Sequence, residues 1–433
     1  MKKRPFSIIL ATILASSLFS CAPTTPSTTT EESLSDPSTV TTSEQDKTNI
    51  KKVEGDNLNN IENKIIKWEG RYEYKEKTSS LPDMMLLYHT ATGFTVEFYG
   101  SKLEVDFFHA KDFEGTEGKD IYYDVKVDDE VLPNTVKRRF KLDGSKTRTT
   151  VTIASGLSNE RHVVTVLKTS EPADAYTGVV SISTDGYFYK RDINKDNDNL
   201  KFMAVCASGG SGYGVLSYNE KNGGVHSRST KYSSSLHSFN YLTARMFGAD
   251  ISFCAQAGWG VKFSSNKSIL DVIDKTGITP TNNVAGAQTT ADWDYNLYVP
   301  DVIIFNIGGN DTKKSDFDVE IYQEGVIDLV TKLHGYYPEA KMLWTHTQSK
   351  AGQYAITALK NEGIINEGYI KQCVIPGIGE GDTGNNTWGA SDHQSLKTHI
   401  DSSNKIVETL ERWGFTTVNT QISFSDFEDI LQK

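Results

Sequence analysis

The sequence predicts two folded units in tandem, an all-β sandwich followed by an α/β domain built on a parallel sheet. Three observations lead there. The chain has 433 residues, more than one hydrophobic core normally organises, so at least two domains are expected. Between about residues 66 and 189 apolar and polar residues alternate in short runs, with no long helical pattern between them. From about residue 199 continuous apolar runs of strand length alternate with amphipathic helical stretches.

The first element is an export segment. Lys2, Lys3 and Arg4 precede an apolar run from Phe6 to Leu18, the charged-then-apolar order of a secretory signal and too short for a stable membrane span. Leu18-Phe19-Ser20-Cys21 resembles a bacterial lipobox, although Phe19 is bulkier than usual there. That resemblance implies a signal over residues 1–21, lipidation at Cys21 and a membrane partner through the lipid anchor. The expected location is extracytoplasmic, on a bacterial cell surface. Residues 22–64 are rich in Thr, Ser, Pro and charge, with too little apolar content to fold, and are expected to be a tether.

Residues 65–190 are expected to form the sandwich. Phe94, Val96 and Phe98 alternate with polar residues, as do Leu103, Val105 and Phe107, then Tyr123, Val125 and Val127, and later Val164 and Val166. Period two turns one face of each strand to a core and the other to water. Gly100-Ser101, Asp128-Asp129 and Asp143-Gly144 punctuate the runs, as turns between strands do.

Residues 198–433 are expected to form the α/β domain. Apolar strands are predicted at 202–206, 251–254, 302–306 and 342–345. Helices are predicted around Phe239, Leu242 and Met246, through Val326 to Leu333, and from about Ser395 to Trp413. Strands without alternation imply a parallel sheet covered on both faces, and sites in such sheets lie at the carboxyl ends of the strands.

Composition narrows the function. The formal charge is −11, with no basic stripe or arm, so no nucleic-acid partner is expected. Cys206, Cys254 and Cys373 lack the paired spacing of a metal site, and neither metal nor cofactor is expected. Cys206 and Cys254 lie near the ends of strands that could be neighbours; small buried side chains are preferred to a disulfide. The turn Ser208-Gly209-Gly210-Ser211-Gly212-Tyr213-Gly214 invites a phosphate-binding reading, but Val215 stands where the dinucleotide pattern needs glycine and where the P-loop needs lysine, so both fail.

A hydrolytic reading accounts for more. Ser208, Gly258 and Asn310 each follow the end of a predicted strand, and His393 precedes the last helix. A serine hydroxyl needs a base to become a nucleophile, and the imidazole of His393 is the candidate. The N–H groups of Ser208 and Gly258 and the side-chain amide of Asn310 are candidate oxyanion donors. Trp259 and Trp388 are candidate substrate-binding aromatics. His346 and His399 are expected to be structural.

These residues resemble the SGNH hydrolases, and within them carbohydrate esterase family 2, whose members place a small β-sandwich before the SGNH domain. The likeness runs from about Gly70 to the last helix. It is carried by Ile153-Ala154-Ser155-Gly156-Leu157 with Glu160-Arg161-His162-Val163-Val164, by Trp293-Asp294 and Pro300-Asp301-Val302-Ile303-Ile304, and most specifically by Asn306-Ile307-Gly308-Gly309-Asn310-Asp311. It implies a jelly-roll-like sandwich, a flavodoxin-like three-layer α/β domain, and an esterase acting on acetylated carbohydrate such as xylan or mannan. The register of Gly212-Tyr213-Gly214 places the nucleophile at Ser208 rather than Ser211.

The chain departs from the family pattern twice. Ala207 replaces the acid before the nucleophile, and Ser391 replaces the carboxylate two residues before the base. Ser391, Asp392 or a backbone carbonyl is then left to orient His393, giving a Ser-His dyad. Two other readings use the same residues: a deacetylase of the cell's own envelope glycans, and a catalytically degenerate surface glycan-binding protein.

Overall fold

The sandwich positions of the alternating runs are met by strand pairing. The computed structural model describes residues 46–433 except 61–63, 110–118, 134–137, 193–197, 218–228, 265–266, 280–289, 378–387, 420–421, 424 and 428–433. The expected signal, Cys21 and most of the expected tether lie outside the described residues.

Twelve strands build the first half: β1 (Lys52–Glu54), β2 (Ile66–Glu69), β3 (Tyr72–Lys75), β4 (Met84–Leu87), β5 (Gly93–Gly100), β6 (Leu103–His109), β7 (Ile121–Val127), β8 (Phe140–Leu142), β9 (Arg148–Ala154), β10 (Glu160–Lys168), β11 (Thr177–Thr184) and β12 (Tyr187–Phe188). One sheet has the order β3-β4-β11-β6-β9 with β1 also on β11, and the other β12-β5-β10-β7-β8 with β2 also on β5. Pairing within both is antiparallel, and Val164 and Val166 of β10 lie opposite Val96 and Phe94 of β5. These side chains are fully buried with Phe98, Leu103, Val105, Phe107 and Tyr123, so the period-two pattern is the inner face of the sandwich.

The sandwich begins earlier than residue 65, a correction to the expected tether. Val53 of β1 pairs with Ile182 of β11, and Val53 and Leu58 are buried in the sandwich core. A strand of three residues with one inward side chain shows no period, so polar composition concealed it.

The second half adds β13 (Lys201–Cys206), β14 (Asp250–Ala255), β15 (Val302–Asn306), β16 (Lys341–His346) and β17 (Ile370–Val374). They form a parallel sheet in the order β14-β13-β15-β16-β17. Helices Phe239–Met246 and Leu396–Glu411 cover one face, and Val319–Tyr336 and Lys350–Asn361 the other. Successive residues of β13 therefore enter different cores: Phe202, Ala204 and Cys206 one, Met203 and Val205 the other. Cys206, Cys254 and Cys373 are free and buried, and burial pushes the Cys206 and Cys254 thiols up.

The sandwich grips this domain through buried polar contacts. The guanidinium of Arg71 donates from Nη1 to the carbonyls of Ile273 and Lys275, both at 2.7 Å. Thr90 Oγ1 donates to Ser235 Oγ at 2.6 Å, and Lys67 Nζ reaches Asp250 at 2.7 Å.

Candidate active site

Three strand ends and one helix entrance meet at a single place. Ala207, in extended conformation, carries the chain out of β13 into a one-turn helix, Ser208–Ser211, closed by Gly212 at φ +74°. A Cβ at Gly212 would fall 2.1 Å from Ser234 O, so only glycine lets this turn pack so closely. Ser208 is half-buried. Ser211, the rival nucleophile, is buried, with its hydroxyl between Ser208 O at 3.2 Å and Glu171 Oε2 at 3.3 Å; it is a structural residue.

His393 stands against the same turn. The segment Trp388–Gln394 folds back on itself, Gly389 N donating to His393 O at 2.7 Å, while Ala390 N donates to Gly214 O at 3.1 Å. The Tyr213 and His393 rings lie 4.4 Å apart between centroids. A Cβ at Gly209 would stand 3.4 Å from Gln394 Oε1. The residue after Ser208 thus faces the residue after His393.

The imidazole is oriented by backbone. His393 Nδ1 lies 2.7 Å from the carbonyl oxygen of Ser391, which fixes Nδ1 as the N–H and leaves Nε2 with the lone pair a general base requires. Ser391 at φ +51° and Asp392 at φ +58° are consecutive left-handed residues, a conformation that side chains other than glycine adopt at a cost of roughly 1–2 kcal/mol each. Asp392 is exposed; of the orienting groups left open by the sequence, the one in contact with Nδ1 is the backbone carbonyl of Ser391.

The candidate oxyanion donors Gly258 and Asn310 lie on two further loops, after β14 and β15. Gly258 follows β14, is exposed and has φ +85° with open space where a Cβ would be. Among the described residues no acceptor meets the N–H of Ser208 or of Gly258. Asn310 follows β15 and donates from Nδ2 to Trp259 O at 2.9 Å; the second hydrogen of that amide is available to a ligand. Its neighbour Asp311 is fully buried and accepts from the N–H groups of Val261, Lys262 and Phe263 at 2.8, 2.9 and 2.8 Å. Burial raises the Asp311 carboxyl, and those three donors pull it back. Asn310 and Asp311 together staple the loop that carries Gly258 to the end of β15.

Trp259 is fully buried and packs edge-on to His89, so it is a core residue and not a substrate wall, a second correction. In the sequence Gly258-Trp259-Gly260 it looked like an exposed loop aromatic, but the close approach of the sandwich buries it. Trp388 is half-buried and bridges to Gln394, beside the base. His399 is buried, accepts from Phe239 N at 3.1 Å and stacks on Phe239; burial drives its pKa down to about 3. His346 is buried and accepts from Gln348 N at 3.2 Å. Among the described residues no three His, Cys, Asp or Glu side chains are grouped to hold a metal ion. A concavity of about 720 Å³ at the β3 edge, lined by Tyr72, Tyr74 and Trp293, holds no serine, cysteine or histidine in its lining; Ser208 lies elsewhere.

Sequence reasoning missed Glu171, a sandwich carboxylate that reaches Ala257 N at 2.7 Å. No local signal marks it, because its partners lie 40 and 86 residues away.

Residues 69–188 match the family model described as carbohydrate esterase 2 N-terminal. No curated protein matches the chain. Among solved structures it is similar to a family two carbohydrate esterase from Clostridium thermocellum in complex with cellohexaose, at 20% identity and a TM-score of 0.65, covering 81% of this chain and 100% of that one. It is also similar to an acetyl xylan esterase from the rumen bacterium Butyrivibrio proteoclasticus, at 16% identity and a TM-score of 0.66, covering 84% and 98%. A family two carbohydrate esterase from Cellvibrio japonicus matches at 15% identity and a TM-score of 0.63, covering 81% and 95%. At these identities the likeness is one of fold: sandwich first, parallel α/β domain second, in the same arrangement.

Proposed function

We propose that this chain, a carbohydrate-esterase-2-type sandwich joined to an SGNH-type α/β domain, is a serine esterase that removes O-acetyl groups from polysaccharide or oligosaccharide, hemicellulose being the favoured class. The observation that carries the reading is the meeting of the Ser208 turn, the His393 segment and the Gly258 and Asn310 loops at the carboxyl ends of β13, β14 and β15, with the ring of His393 held in its basic tautomer. The matched sandwich, the cellohexaose held by one similar structure and the acetyl xylan esterase activity of another favour carbohydrate over other esters.

In this mechanism His393 Nε2 removes the Ser208 proton as Oγ attacks the acetyl carbonyl. The oxyanion is received by the amides of Ser208 and Gly258 and by Asn310 Nδ2. The imidazolium then protonates the sugar ester oxygen as its bond to the acetyl carbon breaks, so that the sugar leaves as an alcohol and the acetyl group stays on Ser208. Water, deprotonated by the same ring, releases acetate and restores Ser208. The Ser391 carbonyl accepts from Nδ1 throughout, supplying orientation and a partial negative charge where a carboxylate would supply a full one. Trp388, half-buried and close to His393 in the chain, would stack on a sugar face. Export through residues 1–21 and lipidation at Cys21 would hold the enzyme outside the cytoplasm at a bacterial cell surface, facing acetylated glycans.

The test is acetate release from 4-nitrophenyl acetate and from acetylated xylan by the chain lacking residues 1–21, beside Ser208→Ala. Release that disappears in the variant supports the esterase. A folded protein that releases no more than the variant from either substrate overturns it, leaving glycan binding as the role of the site.

A further inference from the structure

The site contains one carboxyl group that comes from the other half of the molecule. Glu171 follows β10 of the sandwich and is 3% exposed. Its Oε2 accepts from Ala257 N at 2.7 Å and lies 3.3 Å from Ser211 Oγ. Ala257 immediately precedes Gly258, and Ser211 closes the turn that Ser208 opens. The Ser211 hydroxyl shares its single hydrogen between this carboxylate and Ser208 O at 3.2 Å. One carboxylate therefore touches both loops that carry the backbone oxyanion donors.

Glu171 itself is anchored. Its carbonyl accepts from Asp174 N at 3.0 Å and Ala175 N at 3.4 Å, which ties it into a tight turn of the sandwich. Lys168 is fully buried nearby, donating from Nζ to Tyr88 O at 2.7 Å, and Glu171 and Asp174 are the acidic groups whose charges act on it. Burial lowers the Lys168 ammonium to about 7, against the pull of Asp174 and Glu171; in its protonated form it offsets the negative charge that would otherwise oppose a nearby oxyanion.

We infer that Glu171 is a positioning residue of the esterase: a sandwich carboxylate that holds the Ser208 turn and the Gly258 loop at the separation the oxyanion requires. The inference rests on the esterase reading above. The Gly258 loop needs such a hold, since Gly258 is exposed, adopts φ +85° and meets no atom within 4 Å at its Cβ position. A charge-assisted bond to a buried carboxylate is about twice as strong as a neutral one. A donor displaced by about 1 Å costs about 100-fold in rate. The sandwich is then part of the active site, whether or not it also binds glycan.

The experiment compares Glu171→Ala, Glu171→Gln and Ser211→Ala with wild type and Ser208→Ala, measuring kcat and KM for 4-nitrophenyl acetate. Competent sites are counted by labelling Ser208 with a fluorophosphonate, and unfolding midpoints are recorded. Glu171→Ala should lose about 10- to 100-fold in kcat per labelled site, with KM little changed. Glu171→Gln keeps an acceptor for Ala257 N and should remain within about three-fold of wild type, while Ser211→Ala should lose about three- to ten-fold. A merely structural Glu171 would lower the midpoint and the number of sites without changing kcat per site, which would overturn the inference. If Glu171→Ala does not fold, an unchanged kcat in Ser211→Ala overturns it and the expected loss supports it. Wild-type release that Ser208→Ala does not abolish overturns the esterase reading and this inference together; Ser208-dependent release that Glu171→Ala leaves intact overturns this inference alone.

Discussion

Replacing Asn310 by alanine deletes two hydrogens that do different things. One is bonded to Trp259 O at 2.9 Å, and a neutral hydrogen bond of this kind contributes about 1 kcal/mol net. The carbonyl it leaves belongs to Trp259, which is fully buried, so the acceptor is stranded away from water. The stability loss is therefore about 1–3 kcal/mol, at about 2–4 °C of Tm per kcal/mol. The other hydrogen is the proposed third oxyanion donor, and removing such a donor costs about 2.7–4 kcal/mol of transition-state stabilisation, or about 100- to 1,000-fold in kcat. The assay is steady-state hydrolysis of 4-nitrophenyl acetate with calorimetry on the same preparations. Catalysis should collapse in a protein that stays folded at the assay temperature, and KM should stay close to wild type. A kcat within about five-fold of wild type, or a loss confined to KM, would refute the placement of Asn310 in the oxyanion hole.

Other perturbations test the supports. Gly258→Ala meets no steric obstacle but must hold φ +85°; relaxation of that strain, roughly 1–2 kcal/mol, should swing the amide away and cut kcat about ten-fold or more with Tm nearly unchanged. Asp311→Asn leaves one acceptor oxygen and one NH2 facing the three N–H groups of Val261, Lys262 and Phe263, and urea unfolding should show a loss of about 2–3 kcal/mol. Acid should destabilise the fold through His399, whose buried imidazole has its pKa lowered from 6.5 to about 3. Below pH 6.5 the unfolded chain takes up this proton and the folded chain does not, so the stability present above pH 6.5 is lost as pH falls toward 3. At about 1.4 kcal/mol per pH unit the share reaches about 2–3 kcal/mol by pH 4.5. Urea midpoints at pH 7 and 4.5 measure it, and His399→Gln should flatten the difference.

The parts legible in the sequence are those governed by local periods. The runs around Phe94, Phe107, Val125 and Val164 have one buried face, and β13 and β15 are apolar on both, so strands, fold class and strand-end residues followed. β4 and most of β11 were invisible to that reasoning because they are buried on both sides: Met84, Leu86, Tyr88 and Val180 form a separate apolar cluster outside the sandwich core. The lysine-opened strand Lys52–Glu54 was too short to show a pattern. Within the site, Ser208, Gly258, Asn310 and His393 were legible as residues following strands or preceding a helix. The burial of Trp259 and the reach of Glu171 depend on which loops the sandwich meets, and nothing local to either residue encodes that. The orienting group for His393 was left open between side chain and backbone, since a carbonyl belongs to every residue and only its direction matters.

That direction has an evolutionary consequence. An acidic side chain that orients a catalytic histidine is lost by a single codon change. An acceptor supplied by the main chain survives any replacement at Ser391 and Asp392 that tolerates left-handed dihedrals, with asparagine, aspartate and glycine the least strained choices. The constraint has moved from chemical identity to backbone shape. Searches that require an acid two residues before the histidine will pass over such chains, whereas a search for consecutive turn-forming residues ahead of it would retain them.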